Sequence, residues 1–322
     1  MSLLPAWLHG LFAVLPTPMV AGGSLDLESM DRVVDHYLAG GATGLVPASI
    51  AGEGDLLDET ERRLVIQRVV ARCARRAPVV VGVLEDDMAR ALTQARVAAD
   101  CGADGLLVKA PMSDPQGVLA HVGAIARSLR LPIILLDHPQ FGAALPVSLI
   151  QQLVDTVPEV CGIKLEDEPT AEKMSRVRDL LGPRIRIFGG LGGVHCLREL
   201  EHGADGFFTG YPQPELLATV MACWRRGDLA AACTANEAFL PIAMQERAHP
   251  TTMISQRKTI LRDRGVLREA AVRSRANAPR QAVDRRTDAS ASSRRSAPSM
   301  AATHDHHAPR IDPDDAHALA DQ

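Results

Sequence analysis

Eight short apolar runs, rich in β-branched residues, punctuate the first two-thirds of the chain. They are Gly10 to Leu15, Gly44 to Val46, Val79 to Leu84, Gly105 to Val108, Pro132 to Leu136, Val160 to Lys164, Ile185 to Phe188 and Gly206 to Thr209. Nearly continuous apolar character, rather than strict alternation, is what strands covered on both faces require. Helical patterns lie between them. After Asp26, the residues Leu27, Met30, Val33, Val34, Tyr37 and Leu38 fall three and four apart, on one helix face. Asp58 with Glu61 predicts a capping box for the next helix. Pro146 and Pro169 suit the first turns of the fifth and sixth helices.

One joint recurs. Gly41-Ala-Thr-Gly44, Gly102-Ala-Asp-Gly105 and Gly203-Ala-Asp-Gly206 each stand between a helix and a strand. The first glycine closes the helix in a left-handed conformation and the second opens the strand. Repeated βα units, eight strands alternating with eight helices, predict an α/β fold: a closed (β/α)8 TIM barrel over residues 1–226. A doubly wound sheet would want a glycine-rich turn after the first strand, where Pro16-Thr17-Pro18 stands instead. Helical patterns at Asp228 to Phe239 and Thr251 to Arg264 predict a C-terminal helical extension over 227–269.

Composition narrows the function. The chain has 322 residues, 46% hydrophobic and 23% charged, enough for a sizeable core and against global disorder. Aromatics at 3% and a net charge of -4 argue against nucleic acid and membrane surfaces as partners. No apolar run reaches 18 residues, and the N-terminus lacks the basic region of a signal peptide. The six cysteines form no C-x-x-C pair, which predicts reduced thiols and a cytoplasmic protein. Residues 270–322 turn to Ala, Arg, Ser, Asp and Pro, basic from Arg273 to Arg295 and acidic from Asp305 to Asp321. That composition predicts a disordered tail, and His304-Asp305-His306-His307 reads as part of it rather than as a metal site.

Barrel enzymes carry their chemistry at the C-terminal ends of the strands. Only four lysines occur, and two of them, Lys109 and Lys164, end strands four and six. Low-dielectric walls there disfavour an ammonium and free an amine to attack a carbonyl. The plainer reading is a lysine that reaches the rim or pairs with a carboxylate. Glu166, two residues past Lys164, projects to the same side of a continuing strand and offers a group for proton transfer.

Leu15-Pro16-Thr17-Pro18, Gly52-Glu53, Gly102-Ala103-Asp104-Gly105, Pro132-Ile133-Ile134-Leu135 leading to Pro139, and Gly162-Ile163-Lys164 occur in that order over about residues 8 to 268. In these the chain resembles the dihydrodipicolinate synthase / N-acetylneuraminate lyase family of class I aldolases. The resemblance implies a lyase that forms a Schiff base through Lys164 with a 2-keto acid, usually pyruvate, without metal or organic cofactor. It also implies a homotetramer. A carboxylate-binding loop follows at Ser49, Ile50, Ala51 and Gly52.

The departures bear on the reaction. The family pattern after strand two is G-T-T-G-E, and both threonines are replaced, by Ile50 and Ala51. The strand-five tyrosine is replaced by Leu136, the arginine expected near Phe141 is missing, and Met112 and Ser113 stand for paired tyrosines. Lys-x-Glu at strand six without that tyrosine resembles the branch that dehydrates 2-keto-3-deoxy sugar acids. Glu166, Asp137 and His138 are then the candidates for proton transfer, with Gly189 and Gly190 beside the substrate. Two other readings stand. The Gly189 to Gly193 and Thr209-Gly210 loops suit a phosphate-binding barrel without an imine, and the lost hydroxyls suit a non-catalytic binding protein on a decayed scaffold.

Overall fold

A computed structural model describes residues 4–273. The eight strands are β1 (Gly10–Val14), β2 (Gly44–Val46), β3 (Val80–Val83), β4 (Gly105–Lys109), β5 (Ile133–Asp137), β6 (Val160–Leu165), β7 (Arg186–Gly189) and β8 (Gly206–Thr209). All pairings are parallel, in the order β2-β1-β8-β7-β6-β5-β4-β3. A parallel bridge between Leu45 and Val79 joins the two ends, so the sheet closes. The helices of the barrel are α1 (Leu27–Ala39), α2 (Glu59–Cys73), α3 (Met88–Asp100), α4 (Pro115–Leu129), α5 (Val147–Thr156), α6 (Thr170–Leu181), α7 (Cys196–Glu201) and α8 (Pro214–Arg225). The (β/α)8 barrel expected from the apolar runs is the fold that forms.

Local signals explain the joints. Asp26 accepts the Ser29 N–H at 3.0 Å and starts α1. Asp58 and Glu61 form the reciprocal capping box of α2, at 2.8 and 3.2 Å. Gly41, Gly102 and Gly203 have φ of 92°, 88° and 88°, a conformation any side chain would strain. Pro146 and Pro169 stand one residue earlier than expected, as the caps of α5 and α6 rather than inside their first turns.

The core has two layers. The larger lies between strands and helices. Inside the barrel, Phe12 stacks on Phe208 with centroids 4.5 Å apart, and Phe188 meets them edge-on at 5.6 and 4.9 Å. This aromatic plug fills the interior below the strand ends, and truncating Phe188 to Ala would cost about 3–5 kcal/mol. Register sets what stands above it. β6 slips against β5 at Ile133/Ile134, so Ile134 pairs with Gly162 and Cys161 is left between pairs. Beyond the slip, Ile163 and Leu165 pack under the helices, and Lys164 turns inward.

Two helices follow the barrel, α9 (Leu229–Ala248) and α10 (Met253–Asp263). α9 packs on α8 and continues through Pro241, well past the expected end at Phe239. Order also passes the expected boundary at residue 269. The Arg273 N–H donates to Glu53 at 2.8 Å, and its guanidinium holds both Glu61 oxygens at 2.6 and 2.7 Å. The remainder of the expected tail, with the basic stretch to Arg295, the acidic stretch and His304 to His307, lies outside the described residues. No helix among the described residues is long and apolar enough to cross a membrane.

Candidate active site

A cavity of about 510 Å³ opens at the C-terminal ends of the strands, between them and the helices α9 and α10. Lys164 stands in it near the end of β6, in register with Leu136 on β5 and Phe188 on β7. Its flanks are therefore apolar, and its polar partner comes from its own strand. The Lys164 Nζ lies 3.0 Å from Glu166 Oε2. Glu166 Oε1 accepts the Leu191 N–H at 2.7 Å, which fixes the carboxylate. His138, just past β5, brings Nε2 to 3.7 Å from Glu166 Oε2, and its ring meets Phe141 edge-on at 4.7 Å.

These contacts set the charges. Burial works to raise the Glu166 pKa, but Lys164, His138 and the Leu191 N–H outweigh it and hold the carboxyl below its ordinary value. Burial lowers the His138 pKa more than Glu166 restores it, so the ring is neutral near pH 7. At neutral pH a carboxylate and a neutral imidazole therefore stand beside the Lys164 Nζ.

The loop after β2 supplies a different chemistry. Ala48 adopts a left-handed φ of 54°, and Ile50–Gly52 forms a single tight turn. The N–H groups of Ile50 and Ala51 make no hydrogen bond among the described residues, and both residues line the cavity with Ser49. Two adjacent free donors suit an anion. Gly52 sits behind them. A Cβ there would lie 2.4 Å from the Leu15 carbonyl, and the Gly52 carbonyl accepts the Thr17 hydroxyl at 2.6 Å. Glu53 is fully buried, pairs with Lys258 of α10 and accepts the Arg273 N–H, so the C-terminal segment clamps this loop.

The sequence candidates thus divide. Lys164, Glu166, His138, Ser49, Ile50 and Ala51 share the cavity. Asp137 is not with them. It follows inward-facing Leu136 and so points out to the helix layer, where it meets Lys173 at 2.6 Å and accepts the Leu145 N–H at 2.9 Å. Gly189 and Gly190 also stand off the cavity. A Cβ on Gly190 would strike Glu166 at 2.2 Å, and one on Gly189 would strike Glu199 at 2.1 Å, so these glycines make room for carboxylates. With the Leu191 N–H taken by Glu166, the strand-seven loop offers a phosphate little. Lys109 pairs with Asp86 at 2.8 Å, the plainer of its two readings. Sequence reasoning missed the extension's contribution. Arg257 of α10 and Glu246 of α9 line the cavity as a buried ion pair, and Arg247 does so paired with Glu168.

Comparisons with known proteins identify the family. The profile of the Dihydrodipicolinate synthetase family matches residues 7–285. The 4-hydroxy-tetrahydrodipicolinate synthase of Sorangium cellulosum is 32% identical over 249 residues, 75% of this chain and 81% of that protein. The L-2-keto-3-deoxyarabonate dehydratase of Azospirillum brasilense is 25% identical over 294 residues, 89% of this chain and 94% of its own. The crystal structure of dihydrodipicolinate synthase from Rhodopseudomonas palustris superposes with a TM-score of 0.80 at 29% identity, covering 91% of this chain and 99% of that one. The chain belongs to the dihydrodipicolinate synthetase family and is a lyase of that kind.

Proposed function

We propose that this lyase forms a Schiff base between Lys164 and the keto carbon of a 2-keto acid, and that the imine drives dehydration of a 2-keto-3-deoxy sugar acid. The observation that carries the reading is the Lys164–Glu166 contact of 3.0 Å at the strand ends, flanked by Leu136 where the family's phenol would stand. The similarity to a 2-keto-3-deoxyarabonate dehydratase over 89% of the chain supports the choice of dehydration.

The residues suit each step. The Ile50 and Ala51 N–H groups bind the substrate carboxylate and aim its keto carbon at Lys164. The Lys164 amine attacks the keto carbon, and the keto oxygen leaves as water, with one proton from that nitrogen and one from solvent, which leaves the iminium. The iminium draws in the electron pair released when Glu166 removes a C3 proton, giving an enamine. The enamine nitrogen pushes the pair back, the C4 hydroxide leaves, and the proton on Glu166 converts it to water. Hydrolysis of the unsaturated imine frees the product and Lys164. One carboxylate serves as base and then as acid, and His138 is the second group within reach of its oxygen. A homotetramer and a cytoplasmic location go with this reading by family resemblance, and light scattering checks the first.

The test is turnover of 2-keto-3-deoxy sugar acids by the parent and by Glu166→Gln. The variant keeps the shape and removes the base. Turnover is expected to fall by about 10²-fold or more while borohydride trapping of pyruvate survives. Retained turnover would move proton transfer to His138 and overturn the assignment to Glu166.

A further inference from the structure

We propose that Arg257 and Glu246 read the far end of the substrate and select a neutral, hydroxyl-bearing tail over a second carboxylate. This rests on the imine reading above and assigns the opposite wall of the same cavity. Both side chains are about nineteen-twentieths buried and line the cavity, with 5% and 6% exposed. Glu246 holds the guanidinium along one edge, at 3.0 and 3.1 Å from Nε and 2.7 Å from Nη2. Among the described residues Nη1 has no hydrogen-bond partner, and it keeps contact with the cavity space.

Its position follows from a glycine. A Cβ on Gly210 would lie 2.8 Å from Nη1 and 2.6 Å from the Val14 carbonyl. Nη1 therefore hangs over the ends of β1 and β8, across the mouth from Lys164 on β6, and only glycine at 210 leaves it that path. A held guanidinium with a free Nη1 loses little freedom when it binds a ligand.

Charge decides what it binds. The described cations lining the cavity are Lys164, Arg247 and Arg257, and each already faces a carboxylate, from Glu166, Glu168 and Glu246. A second substrate carboxylate would meet these acids with no uncompensated cation to hold it. A hydroxyl meets a donor in Nη1 and acceptors in Glu246, and it can accept from one and donate to the other.

The test is borohydride trapping as a function of ligand concentration. Pyruvate has no tail, a 2-keto-3-deoxy pentonate has a hydroxyl tail and 2-ketoglutarate has a carboxylate tail. Replacing the pair together, Arg257→Gln with Glu246→Gln, leaves no lone buried charge. Half-trapping by the pentonate is expected to need about tenfold more ligand or more, the loss of one charge-assisted hydrogen bond, with pyruvate unchanged. The parent is expected to trap the pentonate at lower concentration than 2-ketoglutarate. Equal effects on pyruvate and pentonate, no effect on either, or a preference for 2-ketoglutarate would overturn this assignment while leaving the imine intact. A parent that traps none of the three would overturn the imine reading and this one with it. Should the double variant fail to melt cooperatively, Arg257→Lys decides by the same pentonate-to-pyruvate ratio.

Discussion

Leu136 and Lys164 are register partners on β5 and β6, so the side chain beside the strand-six amine is a leucine. The family pattern puts a tyrosine there, and its phenol would be the nearest proton carrier. Here the ionisable group in contact is Glu166, from just past the end of the lysine's own strand. The exchange replaces a weak acid on the neighbouring strand with a carboxylate fixed by a backbone N–H. On the proposed reading it directs the site away from carbon–carbon condensation and toward elimination, where one base can return the proton it removes.

Condensation is accordingly expected to be poor. Pyruvate with aspartate semialdehyde should turn over well below about 1 s⁻¹, the low end of ordinary enzyme rates. A coupled assay that found condensation above that rate would show that another group replaces the phenol.

Asp137 is expected to support the fold and not the chemistry. It is fully buried, and its partner Lys173 is itself mostly buried. Asp137→Asn removes the buried one of the two carboxylates that hold Lys173, leaving Asp167 at 2.8 Å, and should cost about 1.5–3 kcal/mol in urea unfolding. Borohydride trapping by the folded variant should match the parent. A variant of parental stability that no longer traps would return Asp137 to the catalytic set.

The Glu53–Lys258 pair is expected to hold the loop after β2. Lys258→Met strands a buried carboxylate and should cost about 3–5 kcal/mol. Adding Glu53→Gln should recover a large part of that loss, since the double variant buries no lone charge. A single-variant loss below about 1 kcal/mol, as for an exposed pair, would contradict the clamp.

Glu199 gives stability a pH dependence. It lies behind Gly189, accepts the Thr170 hydroxyl at 2.6 Å, and among the described residues its other oxygen has no partner. Burial pushes its pKa from 4.5 to about 7. In the unfolded chain the proton leaves near 4.5, whereas in the fold it stays until about 7. Stability therefore falls as pH rises across that window, by an amount on the order of 3 kcal/mol at most. Glu199→Gln removes this loss. The variant should be more stable than the parent at pH 8 and similar near pH 4. A stability difference independent of pH would contradict the buried acid.

The fold was legible because it is built from local signals. The apolar runs, the Asp58–Glu61 box and the three Gly-Ala joints each act over a few residues, and their number implied closure. Lys164 was legible because it ends a strand, and Glu166 because alternation puts it on the same side. The same alternation also places Asp137 outward, since Leu136 faces in. The β5–β6 slip at Cys161, which sets the register beside Lys164, has no marker in the apolar pattern. Arg257, Glu246 and Lys258 were not legible, because they reach the site by the packing of α9 and α10 over the barrel mouth. α9 also runs through Pro241, past the end expected at Phe239. Gly190 was read as room for a substrate, and what fills that room is the Glu166 carboxylate, a contact visible only once strands six and seven lie side by side.

The most direct measurement is a peptide map after borohydride reduction in the presence of pyruvate or a 2-keto-3-deoxy sugar acid. Reduction fixes the imine as a stable secondary amine, and mass spectrometry finds the lysine that carries it. The expected result is one adduct per chain, on the peptide containing Lys164, absent in Lys164→Arg. Labelling at Lys109, or no adduct at any lysine with any of these acids, would contradict the Schiff-base account.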